Sequence, residues 1–121
     1  MSRMAAKFKA IALDAVDHQG LADWWCTVLG YRRKDDLHGV TDRPEHWPVP
    51  IVDPEGSGPA IWVNPVPDRA GGTTSGMHLD VIGDRAELLD LGATLVRAAD
   101  SEIEWDVLAD PEGNRFCVFA P

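Results

Sequence analysis

With two cysteines, one tyrosine and three phenylalanines, this chain is poor in reactive thiols and phenols, and its basic residues are barely half as many as its acidic ones, 11 against 20. Cys26 and Cys117 form no C-x-x-C pair and are too few for a disulfide framework. Neither has an activating base beside it in sequence, so both read as reduced, buried, small apolar residues. A net charge of −9 repels a phosphate backbone and disfavours nucleic-acid binding. Solubility is the plain reading of that charge, and attraction of a cationic ligand the sharper one. No apolar run approaches the roughly 20 residues that span a bilayer. The first seven residues are basic, but no long apolar stretch follows, so no signal peptide is expected and the location is expected to be cytoplasmic. The sequence has no G-x-S-x-G, no phosphate loop and no dinucleotide glycine motif.

What the chain does have is an internal repeat. Leu13-Asp14, Leu29-Gly30 and Asp53-Pro54-Glu55-Gly56 recur in the same order as Leu79-Asp80, Leu91-Gly92 and Asp110-Pro111-Glu112-Gly113. The offset between copies shrinks along the chain, as it would if the second copy had shorter helix and loops.

Each half reads alike. Residues 8–16 resemble a strand buried on both faces. Asp17 is an N-cap for an amphipathic helix carrying Leu21, Trp24, Trp25, Val28 and Leu29, which Gly30 ends. Residues 31–37 read as a polar strand. Pro48 and Pro50 restrict residues 46–52 to an edge strand or an extended segment. Residues 60–66 form a further strand, and 69–76, rich in Gly, Thr and Ser, a linker. In the second half, 77–82 is a strand. Asp84 and Glu87 make a capping pattern for a short helix through Leu91, and strands follow at 93–98, 103–108 and 115–119. A strand, a helix and then more strands, repeated twice, argue for α+β, with a ferredoxin-like sandwich as the main rival.

Four segments carry a resemblance. They are Leu21-Ala22-Asp23-Trp24-Trp25 leading to Leu29-Gly30-Tyr31, Met77-His78-Leu79-Asp80-Val81, Leu91-Gly92-Ala93-Thr94-Leu95-Val96, and the run from Val107 through Asp110-Pro111-Glu112-Gly113-Asn114 to Val118. In this order they resemble the glyoxalase/bleomycin-resistance/extradiol dioxygenase (vicinal-oxygen-chelate) superfamily. The resemblance implies a single glyoxalase-like domain over residues 1–121, with repeats at about 8–68 and 76–120. Two βαβββ repeats would form a curved-sheet cleft, and a homodimer would be the assembly.

Metal-dependent members of that superfamily place ligands on the first, fourth, fifth and eighth strands. Here the first-strand position falls on Ala10 counted from Trp24, or on Ala12 counted by the internal repeat. The fourth lies near residues 62–64, where no carboxylate stands, the fifth is His78, and the last is Cys117. The helix after His78 is also about one turn shorter than the family's usual one. One good donor falls short of the three protein ligands a catalytic metal wants, so no metal and no other cofactor is expected.

The expected activity is therefore binding of an aromatic or cationic metabolite or drug, with Trp47, Trp62, His78, Trp105 and Cys117 lining the cleft. Each of the three tryptophans is as readily a core residue, and His78 a hydrogen-bonded histidine beside the core. Asp80 shares a face with His78 by strand alternation and could tune its basicity. His78 with Asp80 as a metal-free acid–base pair, a metal-dependent lyase, isomerase or dioxygenase, and a pure interaction module are the competing readings. A second metal site between His38 and His46 is weaker, because their spacing matches no ligand pattern.

Overall fold

The computed structural model describes residues 8–67 and 78–121. The linker expected at 69–76, Met77 and the basic first seven residues lie outside these described residues. The chain divides into two compact units, Met1–Pro67 and Asp68–Pro121.

The first unit runs β1 (Ile11–Ala15), α1 (His18–Leu29), β2 (Arg32–Arg33), α2 (Lys34–His38), β3 (Val49–Val52) and β4 (Ile61–Pro65). Its sheet has the order β1-β4-β3-β2, with β1 parallel to β4 and the other pairs antiparallel. The second unit runs β5 (Leu79–Ile82), α3 (Arg85–Asp90), β6 (Thr94–Arg97), β7 (Asp106–Ala109) and β8 (Arg115–Phe119). Its order, β5-β8-β7-β6, repeats the first, again with the first strand parallel to the last. The architecture is α+β with two βαβββ modules.

Helix α1 forms because its apolar residues recur on one stripe and both ends are capped. The Asp17 carboxylate accepts from the Gly20 N–H at 3.0 Å, and Gly30 takes the left-handed conformation (φ 72°) that releases the chain into β2. Leu21, Ala22 and Trp25 are buried with Ala15, Val49, Ile51, Ile61 and Val63 as the core of this unit. Each large side chain fully buried there contributes about 1.5–3 kcal/mol. Arg33 fastens the strand after the helix back onto it, donating to Asp23 Oδ1 at 2.9 Å and to Gln19 Oε1 at 2.6 Å.

Four elements differ from expectation. First, β1 is not buried on both faces: Ala12 and Asp14 are exposed, and only Ala15 is fully buried. Second, the strand expected at 31–37 is cut to two residues, because Asp35 and Asp36 sit in the first turn of α2, where negative charge suits the helix dipole, and Gly39 (φ 68°) ends that helix. Third, β3 is interior to its sheet. β2 pairs only Ile51 and Val52, so Pro50 faces a strand neighbour on the β4 side alone, and its missing N–H is tolerated. Fourth, β7 starts at Asp106 rather than 103. The Asp100 carboxylate accepts from the Glu102 and Ile103 N–H groups, holding that stretch in a turn, while Asp106 accepts from Ala99 N–H at 2.8 Å.

In the second unit Leu88, Ala93, Leu108, Phe116, Cys117 and Val118 are buried. Asp84 caps α3, and Gly92 follows it with φ 113°. At the sheet edge, β6 is exposed along its length and bulges between Leu95 and Arg97, and Arg97 pairs with Asp100 and Glu102.

Both Asp-Pro-Glu-Gly segments are turns built on their aspartate. Asp53 accepts from the N–H groups of Glu55, Ser57 and Gly58, and Asp110 from those of Glu112 and Asn114 and from the Asn114 side chain. Asp53 is half-buried, whereas Asp110 is 2% exposed. Removing a carboxylate that satisfies buried donors costs more where water cannot replace it. Asp110→Ala should therefore lower unfolding stability by about 2–3 kcal/mol, and Asp53→Ala by clearly less, in urea titrations of the two variants.

Candidate functional site

In the second unit the alternation of β5 decides what faces outward. Leu79 and Val81 are half-buried, while Asp80 and Ile82 are exposed. His78 lies two residues before Asp80 and so shares its face. β5 pairs in parallel with β8, and the register sets Asp80 opposite Cys117. The outcome is a three-residue cluster: His78 Nδ1 is 3.4 Å from Asp80 Oδ1 and 3.7 Å from Cys117 Sγ. Ligand-type atoms of all three lie within 4.8 Å of one another, and no other such group of three occurs among the described residues. His38 and His46 are both exposed and belong to no such group.

The tautomer of His78 sets the hydrogen bonding of the cluster. With a hydrogen on Nδ1 the imidazole donates to Asp80; without it, Nδ1 accepts from the Cys117 thiol. Burial pushes the Cys117 thiol up, and the negative charge of Asp80 and a hydrogen bond to it push the same way. A thiol so raised is a poor nucleophile at neutral pH. Burial likewise raises Cys26, helped by the charge of Asp23. The His78 and Asp80 side chains are 47% and 61% exposed, so solutes reach the cluster from water.

The first unit presents a different feature. An open hollow of about 400 Å³ is lined by Lys9, Ala10, Ile11, Ala12, Trp62 and Asn64. Parallel pairing sets Ala12 beside Trp62 and Asp14 beside Asn64. Ala10 and Ala12 are small, and this leaves the space in front of Trp62 open. The Arg43 guanidinium lies 5.7 Å from the centre of the Trp62 ring. Arg43 is itself held by a two-pronged pair with Asp35, one limb of which is 2.9 Å. The hydrogen bonds from Arg43 hold the Asp35 carboxyl below the usual carboxylate range and raise the guanidinium in turn.

The ligand set of the metal-dependent superfamily members does not fit this chain. Neither Ala10 nor Ala12 can ligate, and β4 offers Trp62 and Asn64 where a carboxylate would be needed.

His78, Asp80 and Cys117 come together, and Trp62 lines the hollow. Trp47 sits in a turn, half exposed, with its backbone N–H donating to the Pro44 carbonyl, and is not among the lining residues of the hollow. Trp105 packs at 5.6 Å against Phe119 in the second unit. Trp25 is core, edge-on to Trp24. Asn64 was within reach of sequence reasoning, since alternation puts it on the Trp62 face. Lys9 and Arg43 gave no such sign. His18, buried, with Nε2 2.8 Å from the Glu45 carbonyl, ties α1 to a loop 27 residues away and is structural.

A family model described as a glyoxalase-like domain matches residues 10–119. Among solved structures, a glyoxalase/bleomycin resistance protein/dioxygenase family enzyme from Burkholderia phytofirmans is 18% identical, with a TM-score of 0.65 over 95% of this chain and 98% of that one. A member of the same superfamily from Sphaerobacter thermophilus is 19% identical, with a TM-score of 0.60 over 98% and 100%. TnmS3, an antibiotic binding protein from a Streptomyces species, is 17% identical, with a TM-score of 0.60 over 98% and 99%. At these identities the likeness establishes the fold alone. No curated protein matches the sequence.

Because the folded Asp35 carboxyl is held below its unfolded value, the stability it contributes is present above the unfolded value, near pH 4, and is lost as pH falls through the folded one. Asp35→Asn should thus cost about 1 kcal/mol at pH 7, and the gap from wild type should close on acidification below pH 4, as urea unfolding at each pH will read.

Proposed function

Since the chain belongs to the glyoxalase-like domain family, we propose that it is a small-molecule-binding module whose guest is an aromatic compound seated on Trp62. The observation that carries this reading is the pair of alanines, Ala10 just before β1 and Ala12 on it, where metal-dependent members would carry a ligand. They open a hollow floored by an indole instead of closing a coordination sphere. TnmS3, a neighbour in fold, is an antibiotic binding protein, which supports the reading by example.

The electrostatics of the hollow narrow the guest. Lys9 lines it, while the Arg43 guanidinium beside the indole is already paired with Asp35, so Lys9 is the one charged side chain among the lining residues and a cationic guest meets a like charge there. An aromatic guest with a carboxylate or other acceptor group meets a complementary one, with Asn64 able to donate or accept at the rim. Covering about 100 Å² of apolar surface on such a guest and the indole contributes about 2.5 kcal/mol, before the cost of association is met. The hollow therefore holds a rigid, planar compound better than a flexible chain.

The test uses 2-naphthoate and (2-naphthyl)trimethylammonium, titrated by calorimetry and followed by tryptophan fluorescence. 2-Naphthoate should bind at least tenfold more tightly than the cation. Trp62→Ala should weaken naphthoate binding at least tenfold, about 1.4 kcal/mol, and Ala12→Leu, which fills the hollow from an exposed position, should abolish it. Unchanged naphthoate affinity in both variants would sink the proposal.

A further inference from the structure

We propose that Asp35 is a positioning residue for the Trp62 hollow: acting through Arg43, it fixes the indole as the floor on which an aromatic guest stacks. The effect on a guest rests on the reading of that hollow as a binding site, whereas the placing of the ring can be tested without any guest.

The argument begins with what stands on either side of the indole. Ala12, Trp62 and Pro50 form one row across β1, β4 and β3. Residues in register share a face, and alternation along β4 turns this row away from the buried Ile61 and Val63. Trp62 is therefore not clamped between the sheet and α1. On the β1 side, Ala12 carries nothing beyond its Cβ, so no neighbour in the row stops the ring from swinging over it and filling the hollow. On the other side, Pro50 is compact and fully buried. What stands over the ring is the Arg43 guanidinium, 5.7 Å from its centre and inside the roughly 6 Å reach of a cation–π contact.

Arg43 can brace the ring only if it is itself held. A free arginine samples many rotamers, and a two-pronged pair with a carboxylate removes that freedom. Asp35 supplies the pair, its second limb 2.9 Å long. With side chains 26% and 17% exposed, the two are shielded from the solvent that makes open ion pairs weak. The frame is fixed at both ends of the segment. The Asp35 carbonyl accepts from the Val40 N–H at 2.9 Å, and the Glu45 carbonyl accepts from the Gln19 side chain at 3.1 Å. Asp35 touches no residue position that lines the hollow, so its influence passes through Arg43.

The test replaces the tryptophans with fluorotryptophan and follows the fluorine resonances, with the Trp62 signal assigned by its loss in Trp62→Phe. Asp35→Asn and Arg43→Met should each shift or broaden the Trp62 signal in the free protein. Asp23→Asn, which breaks the exposed Arg33 pair in the same unit, should leave it in place. Calorimetry then uses 2-naphthoate and its neutral analogue 2-naphthamide. Asp35→Asn should weaken both about fivefold, because the guest must then order the ring as it binds. The double variant should bind no worse than Arg43→Met alone, since the two residues act as one unit. Should Asp35→Asn fail to fold, Arg43→Lys, which keeps the charge and loses the two-pronged geometry, carries the same expectation. An unmoved Trp62 signal would overturn the proposal. So would tighter naphthoate binding in Asp35→Asn, which would mark Arg43 as a charge that attracts the anion and not as a brace, and so would additive losses in the double variant. If the wild type binds neither naphthyl compound, the binding reading fails alone, and the fluorine signal still decides whether Asp35 places the indole.

Discussion

Parallel pairing between the first and last strands of each unit is the constraint on which the rest of the molecule depends. In one unit β1 lies against β4, and in the other β5 lies against β8. A parallel pair cannot be closed by a tight turn, so the helical segments and two intervening strands of each unit are the connection that makes it possible. This arrangement brings the start of each repeat into side-by-side register with its end. Leu13 meets Val63 in the first unit, and its repeat counterpart Leu79 meets Phe116 in the second.

Because the register is shared, both features described above are read from the same rows of the scaffold. The row holding Asp14 and Asn64 in the first unit holds Asp80 and Cys117 in the second. One row earlier on the same face, Ala12, which stands beside Trp62, corresponds to His78 by the internal repeat. Small side chains at those points in one copy leave a hollow, and polar ones in the other gather donors. The backbone is the same, and the difference in chemistry lies in a handful of side chains.

Much of the fold was legible because its signals are local. Asp17 and Gly30 mark the ends of α1, Asp84 starts α3, and both Asp-Pro-Glu-Gly segments are turns, each decided by chemistry within about five residues. β8 was readable to the residue because Asp110 and Gly113 fix its approach. Two of the misreadings have a non-local part. Residues 34–38 became helix where Asp35 meets Arg43 eight residues on, and β3 lies inside its sheet because β2 pairs with it, Pro50 being tolerated since β2 is too short to reach it. The same holds for the sites. Alternation alone placed His78 with Asp80, but the approach of Cys117 needs the register between strands 39 residues apart, which no local pattern encodes. Trp47 and Trp105 could not be sorted from Trp62 by composition, since burial and neighbours separate them.

The irregular strand at the margin of the second sheet has its own consequence. A straight, unpaired β6 with half-exposed Leu95 and Val96 would offer its free amides and carbonyls as a template for any passing extended chain. The break in register at Leu95 and Arg97 twists that rim, and the charges around Arg97 crowd its far end. Runaway stacking of molecules into fibres is discouraged along that edge.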